Sequence, residues 1–303
     1  MPGEETVFTL VPRRRLVGLS FGDMTSARRG AGSDVAGSRP YVAGDDMRAI
    51  DWPASARLAS ARATDEFVVR ERFADEAPRV VVVVDHRPSM SLYPDALPWL
   101  SKPRAVAQTL AAIVESTLAV RGFLGYLDLA EPEPLWRPPR TQRALPETQL
   151  ERPFAAPPDV IVRAFDHLRS HRRALPAGTF VFVLSDFLDP PADDVWVEAL
   201  DRRWDVVPVV IQDPVWEQSF PELAPVVVPF ADARTGRLVA VRMTDAEAVR
   251  HRVENESRAA ELLARLRSLD LEPVLVTTTD RLQVFDAFLE WADARVVWRG
   301  RVW

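Results

Sequence analysis

The chain has 303 residues, 47% hydrophobic and 27% charged, with a net charge of -6 and no cysteine. That length can bury a substantial core, as one large domain or two modest ones, and the acidic balance argues against nucleic acid as the main partner. Disulfides and thiolate metal sites are excluded, no apolar run approaches the ~20 residues that cross a bilayer, and the acidic start Met1–Glu5 lacks a signal-peptide core, so the expectation is a cytoplasmic protein without membrane insertion.

Residues up to about Pro78 are rich in glycine and arginine, with short apolar pieces at Thr6–Leu10 and Glu66–Val69, and read as an extended, β-containing segment. Within it Gly44, Asp45, Asp46, Arg48, Asp51 and Trp52 make a compact charged motif. Two readings stand: an ion-paired turn in which Asp45 or Asp51 meets an arginine such as Arg57 and Trp52 is buried, or a surface that docks a partner. Large apolar residues are sparse, so residues 1–77 are expected to pack on the rest of the chain rather than fold alone.

From Arg79 strands and helices alternate. Val80–Val84 is an unbroken β-branched run, the pattern of a strand covered on both faces. Apolar spacing through Val106, Leu110, Ile113, Val114 and Leu118 predicts a helix over Lys102–Arg121, ended by Gly122. Phe123–Leu129 reads as a strand, and Glu131–Pro158 as a proline-punctuated loop with room for a hairpin. Then come a helix at Asp159–His171, a strand at Thr179–Ser185, a helix at Asp193–Arg203 and a strand at Val206–Ile211. An irregular insertion follows at about 212–242. Thr244 and Glu247 form a capping-box pattern that opens a long helix to about Leu269; a strand at Pro273–Val276 and a helix at Gln283–Ala292 close the series. Such alternation means an α/β, doubly wound, mainly parallel sheet with helices on both faces, over residues 78–303.

Two of these strands end in acid and hydroxyl. Asp85-His-Arg87-Pro-Ser89-Met-Ser91 follows the first, and Ser185-Asp186 follows a later one. Ligands of open α/β sheets sit beyond the carboxyl ends of such strands, and oxygen donors there suit a hard divalent cation. The other candidates are weaker. His167 and His171 share a helix face but lack an acidic partner and sit among Arg169, Arg172 and Arg173, so they read as a solvated basic helix end. No Gly-rich phosphate loop and no nucleophile elbow is present. Lys102, the only lysine in an arginine-rich chain, reads as codon bias.

The acidic pair resembles the metal-ion-dependent adhesion site of von Willebrand factor type A domains, where Asp-x-Ser-x-Ser follows the first strand, a Thr comes from a middle loop and an Asp follows a later strand. Asp85, Ser89 and Asp186 match; Arg87 stands at the first Ser position, and Ala155-Ala-Pro157-Pro158 offers no Thr. The order Arg28-Arg-Gly30, Gly44-Asp-Asp-Met-Arg48-Ala-Ile-Asp51-Trp52, Ser55-Ala-Arg57, Glu71-Arg72, and later Gln212-Asp213-Pro214, Glu217, Pro221-Glu222 and Asp232 to Gly236 is similar to the bacterial family catalogued as domain of unknown function 58. That resemblance implies a von Willebrand factor type A-like fold and a protein-binding role beside a MoxR-type AAA+ ATPase, acting on a client protein, without enzymatic activity. The metal site it implies is degenerate, a weak site for Mg2+ or Mn2+ at most, because Arg87 removes a hydroxyl ligand and brings in a positive charge. Its guanidinium either swings into solvent or pairs with Asp85 or Asp186. The alternative is a metal-dependent hydrolase or phosphatase using Asp85 and Asp186.

Overall fold

A computed structural model describes residues 7–13, 35–41, 47, 50–62, 67–72, 77–92, 100–143, 152–222, 226–232, 235 and 237–301. They fall into two compact units. The smaller lies within Arg14–Pro78, and the larger takes residues 7–13 together with everything from Arg79 onward.

In the smaller unit β1 (Val35–Pro40) is followed by α1 (Trp52–Arg62) and β2 (Val68–Arg72), and the two strands pair antiparallel. The helix was not expected in an extended segment, yet its start has local causes. The Asp51 carboxylate accepts from the Ala54 amide at 3.1 Å, and Pro53 occupies a first-turn position where no N–H is needed. Ser55 turns inward, donating to the Asp51 carbonyl and accepting from the Val68 amide, each at 2.8 Å. Ile50 and Val69 are buried beside it. The expectation of a buried Trp52 is wrong: it is 57% exposed and meets Phe67 edge to face, since the inward position of this turn belongs to Ser55. Gly44, Asp45, Asp46 and Arg48 lie outside the described residues.

The larger unit runs β3 (Arg79–Val84), α2 (Lys102–Ala119), β4 (Phe123–Asp128), β5 (Leu135–Thr141), α3 (Val160–Ser170), β6 (Phe180–Ser185), α4 (Asp193–Asp201), β7 (Asp205–Ile211), β8 (Val226–Ala231), β9 (Leu238–Met243), α5 (Asp245–Ser268), β10 (Val274–Val276) and α6 (Arg281–Arg301). Six strands form one sheet in the order β10-β7-β6-β3-β4-β5, parallel throughout except for β5, which runs antiparallel at the edge. An edge position tolerates Pro138 and Pro139, which a central strand would not.

Alternate residues of the central strands serve opposite faces. Val81, Val83, Val181 and Val183 join α3, α4 and α5 in a core with Phe165, Trp196 and Leu266. On the other face Phe182 packs against Phe288 and Trp291 of α6, and α2 lies beside α6. Phe8 stacks on Phe288 with ring centroids 4.5 Å apart, and Leu10 and Val11 are also buried. The beginning of the chain thus belongs to this core, not to the segment with which residues 1–77 were grouped. Asp205 fastens it: its carboxylate accepts from the Arg13 amide at 2.7 Å and from the buried Arg295 at 2.9 Å, while Arg295 also donates to the Val11 carbonyl.

Two further expectations need correction. The insertion at 212–242 is not irregular throughout, because β8 and β9 form an antiparallel hairpin within it. The last helix extends well past Ala292, carrying Arg295 to its partners. No helix among the described residues is long and apolar enough to cross a membrane.

Candidate functional site at the carboxyl edge

Sheet order fixes where a site can form. From β3 the chain moves outward through β4 and β5 on one side, then returns to build β6, β7 and β10 on the other. The connections after β3 and β6 therefore diverge, leaving a crevice at their carboxyl ends. Asp85 follows β3 and Asp186 follows β6, side by side as the A-domain resemblance requires, with the Asp85 amide donating to the Leu184 carbonyl at 2.9 Å.

The two carboxylates meet cations of the chain itself. Arg87 turns back onto Asp85: its backbone amide donates to Oδ1 at 2.8 Å, and its Nε and Nη2 donate to Oδ2 at 2.9 and 2.7 Å. The Ser185 hydroxyl donates to the same Oδ2 at 2.7 Å. Nη2 also lies 3.7 Å from Asp186 Oδ1, and Nη1 donates to the Asp189 carbonyl at 3.2 Å. Of the two fates open to Arg87, pairing prevails over an excursion into solvent. Burial opposes its charge, but the bonds and charge of Asp85, with Asp186 and Asp189 behind, raise its pKa overall.

Lys102 provides the second cation, and the sequence reading missed it. It opens α2, is wholly buried, and directs its ammonium at the Ser89 carbonyl (3.2 Å), Asp186 Oδ2 (2.9 Å) and Glu217 Oε1. An ammonium has three N–H donors, and three acceptors surround it. The planar fork of an arginine would not match that arrangement, which explains why the only lysine of the chain stands here. Codon bias is not the account of it. A signal was available: a cation in the first turn of a helix opposes the helix dipole, so a lysine there calls for anionic company.

The carboxylates respond differently to burial. For Asp186 burial works upward, but the Lys102 ammonium, the Ser89 hydroxyl and the Leu188 amide together hold its pKa below the ordinary value. For Glu217 burial wins over Lys102 and pushes the pKa up. Glu217 also accepts from the Asp213 amide at 2.8 Å, and Asp213 accepts from Val215, Trp216 and Leu100 amides. Gln212 donates to the Asp186 carbonyl at 2.5 Å. The start of the insertion is thereby tied to the first turn of α2. Phe187 supports the turn from below: it has a φ of 47°, rare for a bulky side chain, and is held there by burial beside Trp196.

Of the predicted site residues, the structure brings together Asp85, Arg87, Ser89 and Asp186, and adds Lys102, Ser185 and Glu217. Asp51 and Trp52 belong to the smaller unit. His86 is buried away from the cluster, its Nε2 3.3 Å from the Tyr126 hydroxyl and its ring stacked on Phe154. Burial lowers its pKa despite the nearby Asp128 and Asp85. Above the cluster lies an open cleft of about 570 Å³, lined by Arg87, Ser89, Phe154, Pro157, Glu131 and Asp232 among others.

These residues do not fit a divalent ion. A hard cation asks for about six oxygens, yet the carboxylate oxygens best placed to serve, Asp85 Oδ2 and Asp186 Oδ2, each carry a bond from a cationic nitrogen. The loop at Ala155–Pro158 adds no hydroxyl.

The fold is a doubly wound α/β domain with its polar cluster at the switch point of the sheet. The chain belongs to the family described as "Protein of unknown function DUF58", whose model matches residues 37–262. An uncharacterised protein of Mycobacterium tuberculosis, Rv1480, is 28% identical over 232 residues, which is 74% of this chain and 68% of that one. An uncharacterised protein of Mycobacterium bovis, Mb1516, matches to the same extent. Among solved structures, the conserved hypothetical protein BatB from Bacteroides thetaiotaomicron is similar with a TM-score of 0.40 and 13% identity, over 71% of this chain and 99% of that one. An aerotolerance-related membrane protein from Bacteroides fragilis gives a TM-score of 0.40 and 12% identity, over 72% and 99%.

Proposed function

We propose that the protein is a non-enzymatic interaction module that docks a partner at the carboxyl edge of its sheet. The partner is a MoxR-type AAA+ ATPase, in the cytoplasm, and the pair acts in maturing or remodelling a client protein. One observation carries the reading: the carboxylates at the edge are held by Arg87 and Lys102, which supports a binding role over nucleophilic or base chemistry. An ion-paired floor beneath an open cleft suits recognition better than turnover. The choice of an ATPase follows the family resemblance, since the sequence has no phosphate-binding loop of its own and a motor must come from outside.

The competing reading is a metal-dependent hydrolase built on Asp85 and Asp186. A panel of phosphate and ester substrates with Mg2+ or Mn2+ separates the two. The module reading expects no turnover above background. Turnover that disappears in Asp85→Ala would overturn it in favour of the enzyme.

A further inference from the structure

The three contacts of Lys102 carry a consequence that does not depend on what the protein binds. Its ammonium lies where the Ser89 carbonyl, Asp186 Oδ2 and Glu217 Oε1 converge, fully buried, at the foot of the Asp85-x-Arg87-x-Ser89 turn. In an adhesion-type site the divalent ion bridges this same turn to the Asp that follows the later strand. Here the ammonium bridges them, and it draws Glu217 in from the insertion as a further anionic oxygen.

We infer that Lys102 is a built-in cation that stands in for the divalent ion, and that removing its side chain turns the cluster into a metal site. Three features support the substitution. The ammonium is a compact point charge, the nearest a side chain comes to a bare ion. Its acceptors are all oxygens, the donors that Mg2+ and Mn2+ prefer. Two of them are carboxylates on separate elements, Asp186 after β6 and Glu217 in the insertion, so the lysine links distant segments as a bridging metal does. Arg87 fills the neighbouring place on Asp85 and balances its charge. Changing Arg87 alone therefore leaves Asp186 and Glu217 occupied and does not create the site.

The test compares thermal melting of the full chain with 1 mM MnCl2 or with EDTA, alongside Mn2+ titration followed by electron paramagnetic resonance. Wild type and Arg87→Ser should melt at the same temperature under both conditions and bind no Mn2+ below millimolar concentration. Lys102→Ala removes the charge and leaves room for an ion; in EDTA its melting temperature should fall by roughly 10 °C, as for a broken buried ion pair. Mn2+ should recover about half of that loss, and Lys102→Ala/Arg87→Ser should bind Mn2+ more tightly still. Lys102→Met, which removes the charge but fills the space, should be destabilised and not rescued. Micromolar Mn2+ binding by wild type would overturn the inference, as would equal rescue of the Ala and Met variants. A Lys102→Ala chain that stays unfolded with and without Mn2+ would overturn it too.

Discussion

Asp85 gives the sharpest energetic test, because both of its carboxylate oxygens accept bonds inside the protein. It takes bonds from the Arg87 amide, the Arg87 Nε and Nη2, and the Ser185 hydroxyl, all between 2.7 and 2.9 Å. Asp85→Ala takes the principal partner from the buried Arg87 guanidinium and the acceptor from the buried Ser185 hydroxyl. Breaking one side of a buried pair costs ~3–5 kcal/mol, and Arg87→Met, which strands the carboxylate, falls in the same range. Removing both partners leaves neither charge exposed to an apolar surround, so the double variant should be more stable than the sum of the two losses predicts, with a coupling of ~2–3 kcal/mol. Urea unfolding of the four proteins, read at constant slope, supplies the cycle. Losses that add to within ~0.5 kcal/mol would mean that the two groups do not interact, and the internal neutralisation of the site would fail.

Other parts of the fold make independent claims. Arg295→Met takes the guanidinium from Asp205 and Glu272 and should cost ~3–5 kcal/mol by urea unfolding; a loss under ~1 kcal/mol would show the network to be ornamental. Gly125→Ala would set a Cβ 2.9 Å from the Arg137 carbonyl oxygen and from the Pro139 nitrogen, both backbone atoms, and should lower stability by ~1–3 kcal/mol, with an unchanged melting temperature as the contrary result. A fragment of residues 14–78, whose described core is Ile50 and Val69 with the inward Ser55, should melt without a cooperative transition by calorimetry, and a sharp heat-capacity peak would contradict that.

The central strands were legible because burial on both faces erases alternation: Val80–Val84 and Phe180–Leu184 announce themselves as parallel strands, and their carboxyl ends placed Asp85 and Asp186 correctly. The capping box at Thr244 and Glu247 was equally plain, and both of its reciprocal bonds are present. The β8–β9 hairpin was hidden by Pro229 and by a turn that lacks the usual two-residue signature. Helix α1 was hidden by being grouped with the glycine-rich stretch that ends at Gly44, although Asp51 and Pro53 mark its start. The meeting of Lys102 and Glu217 with Asp186 was hidden for another reason. They meet Asp186 from positions 84 residues before it in sequence and from the far side of β7, and no local spacing encodes such a meeting. Only the conflict between a lysine and the first turn of its helix hinted at it.

Partner binding at an edge that carries its own cations can be measured directly. Calorimetric titration of a purified MoxR-type AAA+ ATPase, free of nucleotide, into the full chain should be made in EDTA and again in MgCl2, with Phe154→Glu as the cleft variant. The prediction is saturable binding with the same dissociation constant in both buffers, weakened at least tenfold by Phe154→Glu. Binding that requires the divalent ion, or no binding in either buffer, would contradict it.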